Sequence, residues 1–337
     1  MNCNRGFVKN LTLTAQKDDA GRRLDRILRK ALPGYPLSAI HRILRKGGVT
    51  INGKTGKGED RIPAGALIEL TVKENKAFFD KNECGYDLSK QKKQKSPSAI
   101  DIIWSGEGLL ILNKPAGLAV HGGNGSQNNL DMQVQEYLKG KLPPSLSFRP
   151  GPLHRLDKHS SGIVVFALSL EAAKWFSALV RERKIRKRYL AILEGGLKKS
   201  EIWKEMLVRD KQAQKTFVAG GKEQNKKEAL TVITPLAWTK KDGRAYTLAA
   251  LEIETGRTHQ IRSHAAYHGH PLAGDRKYGG RSFAAAPNCA FFLHACKLEL
   301  PVDPNISPKI PRIIKAPLPE DFAHVLTKLF GQPCFSF

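Results

Sequence analysis

Apolar side chains recur at helical spacing in two stretches near the amino terminus. The first stretch covers residues 24–32 and the second covers residues 40–44, and the sequence Pro33-Gly34-Tyr35-Pro36 separates them. Proline and glycine interrupt helices, so this pattern predicts two short consecutive helices rather than one long helix.

A β-hairpin is predicted directly after these helices. Gly47-Gly48 can end the second helix, and residues 49–51 then predict a strand that leads into Asn52-Gly53, a dipeptide that readily takes positive φ. Residues 67–72 predict the returning strand. The following stretch, residues 73–98, is rich in Lys, Asn, Gln, Asp and Ser, which predicts a polar linker.

Short β-rich runs dominate the chain from residue 99 onward. They cover residues 109–112, 163–168, 189–193, 230–233, 248–253 and 297–300. The clearest helical pattern in this part covers residues 169–183. Few helices among many strands predict an α+β fold with a large, mostly antiparallel sheet.

The amino-acid composition shows a large excess of positive charge. The 337 residues include 56 Lys and Arg against 31 Asp and Glu, which gives a formal net charge of +25. A hydrophobic fraction of 41% is that of a globular protein, and the length suits about two domains. We therefore expect a polyanionic partner.

Residues 22–46, which include the two predicted helices, concentrate this charge, with eight basic residues against the single acid Asp25. A solvated helical face usually carries both signs, so the excess favours contacts with nucleic-acid phosphates over an ordinary exposed face. The candidates for these contacts are Arg22, Arg23, Arg26, Arg42, Arg45 and Lys46.

Cysteine usage and hydropathy indicate the compartment. The five cysteines are odd in number, widely scattered and never spaced as Cys-x-x-Cys, which predicts neither a disulfide framework nor a thiolate zinc site. No apolar run approaches the ~18 residues that a membrane-spanning helix needs, and residues 1–9 lack the apolar core of a signal peptide. The expected location is the cytoplasm, with no membrane partner.

The first candidate for chemistry is the segment HRLDKHSSG at residues 154–162, directly before an apolar strand. A carboxylate beside cations at a strand entrance can stay ionised and act as nucleophile or base, and Arg155 and Lys158 flank Asp157. Alternatively, Asp157 closes a turn by accepting backbone N–H bonds. The local sequence leaves these two interpretations open.

The second candidate is the segment TGRTHQIR, continued by SHAAYHGHP, at residues 255–271. Thr258 is predicted to cap a helix from which Arg262 projects toward a buried anion; a phosphate contact or a surface salt bridge is the alternative. The histidines of this segment suggest a metal, but His264 and His268 lack the accompanying Glu of a zinc protease. We expect helix caps and RNA contacts instead of a metal site.

Nucleotide cofactors are not expected either. Neither a Gly-x-x-x-x-Gly-Lys-Ser/Thr nor a Gly-x-Gly-x-x-Gly motif follows a predicted strand, so the sequence predicts no phosphate-binding cradle for ATP or a dinucleotide.

Two parts of the chain each resemble a known family. The segment GRRLDRILRK...LSAIHRILRKGGVTINGK resembles the S4 RNA-binding domain. The later segments LLILNKPAGLAVHGG, PLHRLDKHSSGIVVFA, RKRYLAILEG, ETGRTHQIRSHAAYHGHPLAGDRKYGG and FLHACKLEL closely resemble the C/D type of ribosomal large-subunit pseudouridine synthases, in the family's order. The resemblance implies an S4-like domain over residues 12–75, a polar linker over 76–98 and a catalytic domain over 99–337.

The resemblance also implies a mixed, largely antiparallel catalytic sheet with a central cleft. It implies isomerisation of uridine to pseudouridine in ribosomal RNA, without metal or cofactor, by an enzyme expected to be a monomer. By the family's motifs, Asp157 is the essential aspartate, Arg155 is associated with displacing the target base, Tyr189 stacks under the uracil, and Arg262 pairs with the aspartate.

Three neighbours within these motifs, His154, Arg257 and His259, are further candidates for binding substrate. One departure from the family pattern is Ser160, which stands where the family usually has Thr. Both hydroxyls can make the same backbone bond. Two other hypotheses are a non-catalytic RNA-binding or ribosome-assembly protein and a metal-dependent RNA hydrolase; the first has no use for a carboxylate among cations.

Overall fold

The computed structural model describes residues 8–73, 100–122, 128–142, 145–221, 223–282, 289–302 and 309–331. The predicted linker over residues 76–98 lies outside them. Backbone contacts divide the chain into two units. The N-terminal unit comprises Met1–Ser98, Tyr137–Pro150 and Ser169–Glu171, and the C-terminal unit comprises Ala99–Glu136, Gly151–Leu168 and Ala172–Phe337.

The C-terminal unit is built on an eleven-stranded sheet of the described residues. Its strands are β5 (Ile102–Gly106), β6 (Leu109–Lys114), β7 (Gly151–Pro152), β8 (Ser161–Ala167), β9 (Arg186–Glu194), β10 (Glu201–Asp210), β11 (Lys215–Val218), β12 (Lys227–Lys241), β13 (Arg244–Ile253), β14 (Leu293–Glu299) and β15 (Ile313–Lys315). The order is β11-β10-β12-β13-β9-β14-β8-β6-β5, with β15 beside β14 and β7 beside β8.

All these strand pairs are antiparallel except β14 with β8, which pair in parallel. The predicted α+β class with a mixed, mostly antiparallel sheet is therefore confirmed. Each predicted β-rich run coincides with a strand, although the runs 163–168 and 297–300 extend one residue past the ends of β8 and β14. β12 has fifteen residues and continues past its last β10 partner, Ile233, paired with β13 alone, with a register shift between Pro235 and Ala237.

The helices outside the predicted basic pair are α3 (Leu130–Leu138), α4 (Leu170–Arg181), α5 (Gln260–Tyr267) and α6 (Glu320–Phe330). Helix α4 confirms the helical pattern over residues 169–183, and α5 carries the second candidate segment. No helix in the described part of the chain is both long and apolar enough to span a membrane.

The N-terminal unit confirms the predicted helix pair and hairpin turn, but the strand that returns from this turn is Lys54–Thr55, and the predicted returning strand over residues 67–72 pairs with the other edge of Val49–Ile51. It contains β1 (Val8–Thr14), α1 (Leu24–Ala31), α2 (Leu37–Arg45), β2 (Val49–Ile51), β3 (Lys54–Thr55) and β4 (Leu67–Lys73), with strand order β1-β4-β2-β3. Asn52 and Gly53 both have positive φ, at 49° and 78°, as the hairpin turn requires. The sequence pattern missed β1, which pairs with β4 along its length.

A buried carboxylate holds a remote segment to this unit. Asp19 is fully buried and accepts hydrogen bonds from the backbone N–H groups of Gln16, Leu146 and Ser147 and from the hydroxyls of Ser145 and Ser147, at 2.6–3.0 Å. Burial opposes the charge, but these bonds, led by the one from Ser147, outweigh it and lower the pKa of Asp19. One ionised side chain therefore organises residues 145–147.

Replacing this carboxylate tests its contribution to stability. Asp19→Asn is expected to lower the free energy of unfolding by about 2–4 kcal/mol at pH 7, because an amide NH₂ would face donors that need acceptors. The folded-state pKa lies below the unfolded value, so this stabilisation is present above about pH 4 and lost as pH falls through the folded pKa.

Urea denaturation across pH measures the effect, with the exposed Glu59→Gln as the matched control. Equal destabilisation by the two variants at pH 7 would contradict the assignment.

Candidate active site

The first candidate segment forms a turn between β7 and β8. The backbone carbonyl of Asp157 accepts the Ser160 N–H at 3.1 Å, so main-chain atoms close this turn. The Asp157 side chain, 16% exposed, instead points to Arg262. This geometry decides between the two interpretations of Asp157, because its carboxylate is available for an ion pair.

Helix α5 begins differently from the sequence prediction. The cap residue is His259, in the left-handed region at φ 53°, and neither it nor Thr258 provides a side-chain cap. The Gln260 side chain ties the helix to the preceding loop, since its Oε1 accepts from the Arg257 N–H and the Thr255 hydroxyl, at 3.1 and 2.8 Å. The predicted Thr258 cap is therefore wrong, because the cap position falls one residue later, on His259.

Arg262 on α5 joins two carboxylates. Its Nε and Nη2 donate to Asp275 at 2.6 and 2.8 Å, and its Nη1 donates to Asp157 Oδ2 at 3.2 Å. The guanidinium lies between the rings of Tyr278 and Phe291, 4.7 and 4.5 Å from their centres. With 8% of its side chain exposed, Arg262 belongs to a buried network rather than to a surface salt bridge.

The two carboxylates of this network stabilise the positive charge of Arg262. Burial opposes the charge of Arg262, but the hydrogen bonds and charge of Asp275, followed by those of Asp157, raise the pKa of Arg262 above its ordinary value. Arg262 thus stays a cation, and its bidentate bond to Asp275 fixes the orientation in which it meets Asp157.

Two cavities meet at Asp157. The larger, of about 710 Å³, is bordered by Asp157, Arg262 and a set of cations: Arg155, Lys158, Arg209, Arg276 and Lys277. The smaller, of about 80 Å³, has an apolar wall made by Tyr189, Ile253 and Leu293. Asp157 therefore lies between an electropositive space and a smaller one that these three residues line together with Arg155, Arg257 and His259.

Tyr189 is a buried residue of β9 and is itself close to the carboxylate. Burial, with a smaller contribution from the negative charge of Asp157, raises the pKa of Tyr189, so the phenol stays neutral. A neutral aromatic ring in the small cavity offers a face for stacking.

The other predicted substrate residues lie in different surroundings. Arg155 is exposed and borders both cavities, and Arg257 borders the smaller one while its Nε donates to the Glu228 carbonyl at 3.1 Å. His154 borders neither cavity: its Nε2 accepts the Val165 N–H at 3.2 Å and its ring stacks on Phe176. Burial lowers the pKa of His154 to about 3, so it is a neutral packing residue.

The sequence neighbours Arg155 and Lys158 do not provide the hydrogen-bonded cation of Asp157. Arg155 and Lys158 were expected to keep Asp157 ionised, but both side chains are exposed. The side-chain cation within hydrogen-bond reach of this carboxylate, among the described residues, is Arg262, 105 residues away along the chain.

Lys114 is a functional candidate that the sequence pattern missed. It ends β6, is fully buried, and its Nζ donates to the carbonyls of Pro115, Leu118 and Lys158 at 2.7, 2.7 and 3.1 Å. Burial lowers the pKa of Lys114 to about 7, with the charge of Asp157 opposing the shift. Lys114 ties the turn of Asp157 to β6; its sequence signal was a lysine that closely follows the apolar run 109–112.

The histidines at positions 264, 268 and 270 contact protein oxygen atoms of Glu205 and Glu194. His264 and His268 face the two carboxylate oxygens of Glu205, at 3.3 and 2.9 Å, and His270 Nδ1 lies 3.1 Å from the Glu194 carbonyl. The described residues contain no group of three or more His, Cys, Asp or Glu side chains arranged to hold a metal ion.

The predicted RNA contacts of the helix pair divide into two groups. Arg22 Nη1 donates to the Ser147 carbonyl at 2.6 Å, and Arg23 pairs with Asp25 at 2.7 Å, so these two side chains serve the unit itself. The other four are exposed: Arg26, Arg42, Arg45 and Lys46.

Comparisons with known proteins agree with this geometry. The family model described as RNA pseudouridylate synthase matches residues 108–267. The chain is 33% identical over 331 residues to ribosomal large subunit pseudouridine synthase C of Escherichia coli (strain K12), covering 96% of this chain and 97% of that protein. It is 34% identical over 290 residues to the protein of the same name from Vibrio parahaemolyticus, covering 84% and 86%.

A solved structure shares the fold. Human RNA pseudouridylate synthase domain containing 1 matches 70% of this chain and 89% of its own length, with 26% identity and a TM-score of 0.53. The span that the family model matches contains Asp157, Tyr189 and Arg262. The chain belongs to the RNA pseudouridylate synthase family.

Proposed function

We propose that this enzyme isomerises uridine to pseudouridine in the RNA of the large ribosomal subunit, with Asp157 as the nucleophile. Family membership makes the chain an RNA pseudouridine synthase, an isomerase. The observation that carries the assignment of Asp157 is its place on the wall shared by two cavities, one lined by cations and one by Tyr189, with Arg262 on one carboxylate oxygen.

The reaction breaks the bond between N1 and C1′, rotates the uracil and joins C5 to C1′. Attack of a carboxylate at C1′, addition to C6 and removal of the 2′ proton all use an ionised aspartate. Arg262 stabilises that charge, and the Asp275 contact keeps the guanidinium in place. No electron carrier is required, because the base keeps its redox state.

The small cavity suits the uracil. Tyr189 supplies an aromatic face, and Ile253 and Leu293 complete the apolar part of the cavity wall. Stacking of a base on an aromatic side chain contributes about 1–3 kcal/mol. Tyr189 therefore holds the base while its bond to the ribose is broken.

The larger cavity suits the RNA backbone. The target nucleotide has to leave its stack before it can reach Asp157, and cations around the entrance stabilise the phosphates of the displaced strand. In this proposal Arg155, which borders both cavities, fills the space in the RNA stack that the displaced base leaves.

The ribosomal substrate is supported by the names of the two bacterial relatives, each a ribosomal large subunit pseudouridine synthase C. In this proposal the basic helix pair of the N-terminal unit acts as an S4-like RNA-binding module, and the enzyme works in the cytoplasm, where ribosomal RNA is assembled. A non-catalytic RNA-binding protein is disfavoured, because RNA binding alone gives no reason to keep Asp157 on a cation in a buried network.

Removing the charge of Asp157 tests its role. Asp157→Asn is expected to lower the rate of tritium release from RNA labelled at uridine C5 by at least about 1,000-fold, while filter binding shows RNA affinity within about threefold, because phosphate contacts dominate binding. Asp242→Asn is the matched control, since Asp242 is exposed and has the positive φ of 49° that Asn tolerates. Near-normal turnover of Asp157→Asn would exclude Asp157 as the nucleophile.

The helix pair is tested by the salt dependence of binding. Replacing Arg42 and Arg45 together with Ala is expected to flatten the slope of log affinity against log salt by about 0.7–0.9 for each phosphate that is no longer neutralised. Turnover of saturating RNA should stay unchanged. The paired Arg→Lys variant keeps both charges and should keep the slope, whereas an unchanged slope in the Ala variant would show that α2 does not bind phosphate.

A further inference from the structure

His259 lies beside the carboxylate oxygen of Asp157 that Arg262 leaves free. Its Nε2 is 3.8 Å from Asp157 Oδ1, and its Nδ1 is 2.8 Å from the Tyr278 hydroxyl. The residue has φ 53°, a conformation that costs about 1 kcal/mol or more outside glycine and Asn. A backbone held in this way sets the direction of the imidazole.

Two donors converge on Nδ1. The Tyr278 oxygen accepts the Thr216 N–H at 2.8 Å, which leaves its own hydrogen to be donated to His259 Nδ1. Arg209 Nη1, which can only donate, approaches the same nitrogen at 3.5 Å. Nδ1 is therefore an acceptor, and a neutral His259 carries its proton on Nε2.

The imidazole is neutral under ordinary conditions. Burial lowers the pKa of His259 to about 4; the charge of Asp157 opposes this shift, and the cations Arg262, Arg209 and Lys277 add to it. The single ring proton therefore faces Asp157.

On the basis of the proposed function, we propose that His259 is a positioning residue for the isomerisation. In the substrate complex its Nε2–H donates to Oδ1 of Asp157, while Arg262 holds Oδ2. The present separation of 3.8 Å closes as the RNA binds, since catalytic hydrogen bonds often tighten only in the substrate complex. Together the two donors would fix the plane of the carboxylate, and Tyr278 would fix the tautomer of His259.

Two substitutions separate this role from a structural one. In His259→Gln the side-chain amide can place an N–H near the position of Nε2, whereas in His259→Asn it reaches only the position of Nδ1. A purely structural role favours Asn, which tolerates the left-handed backbone of this residue better than Gln does. A role as an Nε2 donor favours Gln.

We expect kcat for tritium release to fall about 100-fold in His259→Asn and less than about tenfold in His259→Gln, with KM within about threefold in both. Equal rates, or a faster Asn variant, would overturn the proposal. An inactive wild-type enzyme on large-subunit RNA would instead contradict the proposed function, so the two failures are distinguishable.

A second measurement does not depend on either variant. In protein labelled with ¹⁵N at histidine, the His259 ring at pH 7 should show the Nε2–H tautomer. Tyr278→Phe keeps the ring beside Arg262 but removes the hydroxyl, and it should give a measurable fraction of the Nδ1–H tautomer together with a reduced kcat. An Nδ1–H tautomer or an imidazolium in the wild-type protein would contradict the assignment.

Discussion

The buried guanidinium of Arg262 connects the parts of the site. Helix α5 carries Arg262, the turn before β8 carries Asp157, and the loop before β14 carries Asp275 and Tyr278. Removing one partner of a buried ion pair leaves an uncompensated charge, which typically costs about 3–5 kcal/mol. The contact between α5 and the loop before β14 therefore depends on both charges of the buried Arg262–Asp275 pair, and Asp157 joins the turn before β8 to this pair through one longer bond.

The sheet makes this convergence possible. β14 runs parallel to β8, with His294 opposite Ser161 and Ala295 opposite Gly162. Gly162 has φ 109°, and a Cβ there would overlap the carbonyl of Ala295, so this close pairing needs glycine. The Ser161 hydroxyl lies 2.9 Å from His294 Nδ1. The residues after Asp157 thus anchor its turn to the sheet.

Local sequence predicted the parts of the fold that depend on local forces. The helix pair, the Asn52-Gly53 turn and the apolar core of β8 follow from spacing and backbone preference, and the turn of Asp157 follows from the polar residues before that strand. Asp275 could not be found in this way, because its partner Arg262 lies in α5, and Lys114 could not be assigned to the site, because the Lys158 carbonyl that it binds lies 44 residues away, in the turn of Asp157. Thr258 was a plausible cap by residue type, but the neighbouring Gln260 forms four hydrogen bonds to the preceding loop and β12.

Arg262 binds two carboxylates unequally. This explains how the Asp157 carboxylate keeps one oxygen available in so basic a protein. Asp275 is 2% exposed and takes both Nε and Nη2 at 2.6 and 2.8 Å, whereas Asp157 takes one longer bond of 3.2 Å through a single oxygen. Had Arg262 met Asp157 alone, a bidentate pair would have occupied both oxygens of the Asp157 carboxylate. Because Asp275 takes the stronger geometry, Arg262 stabilises the charge of Asp157 and leaves Oδ1 without a donor from Arg262.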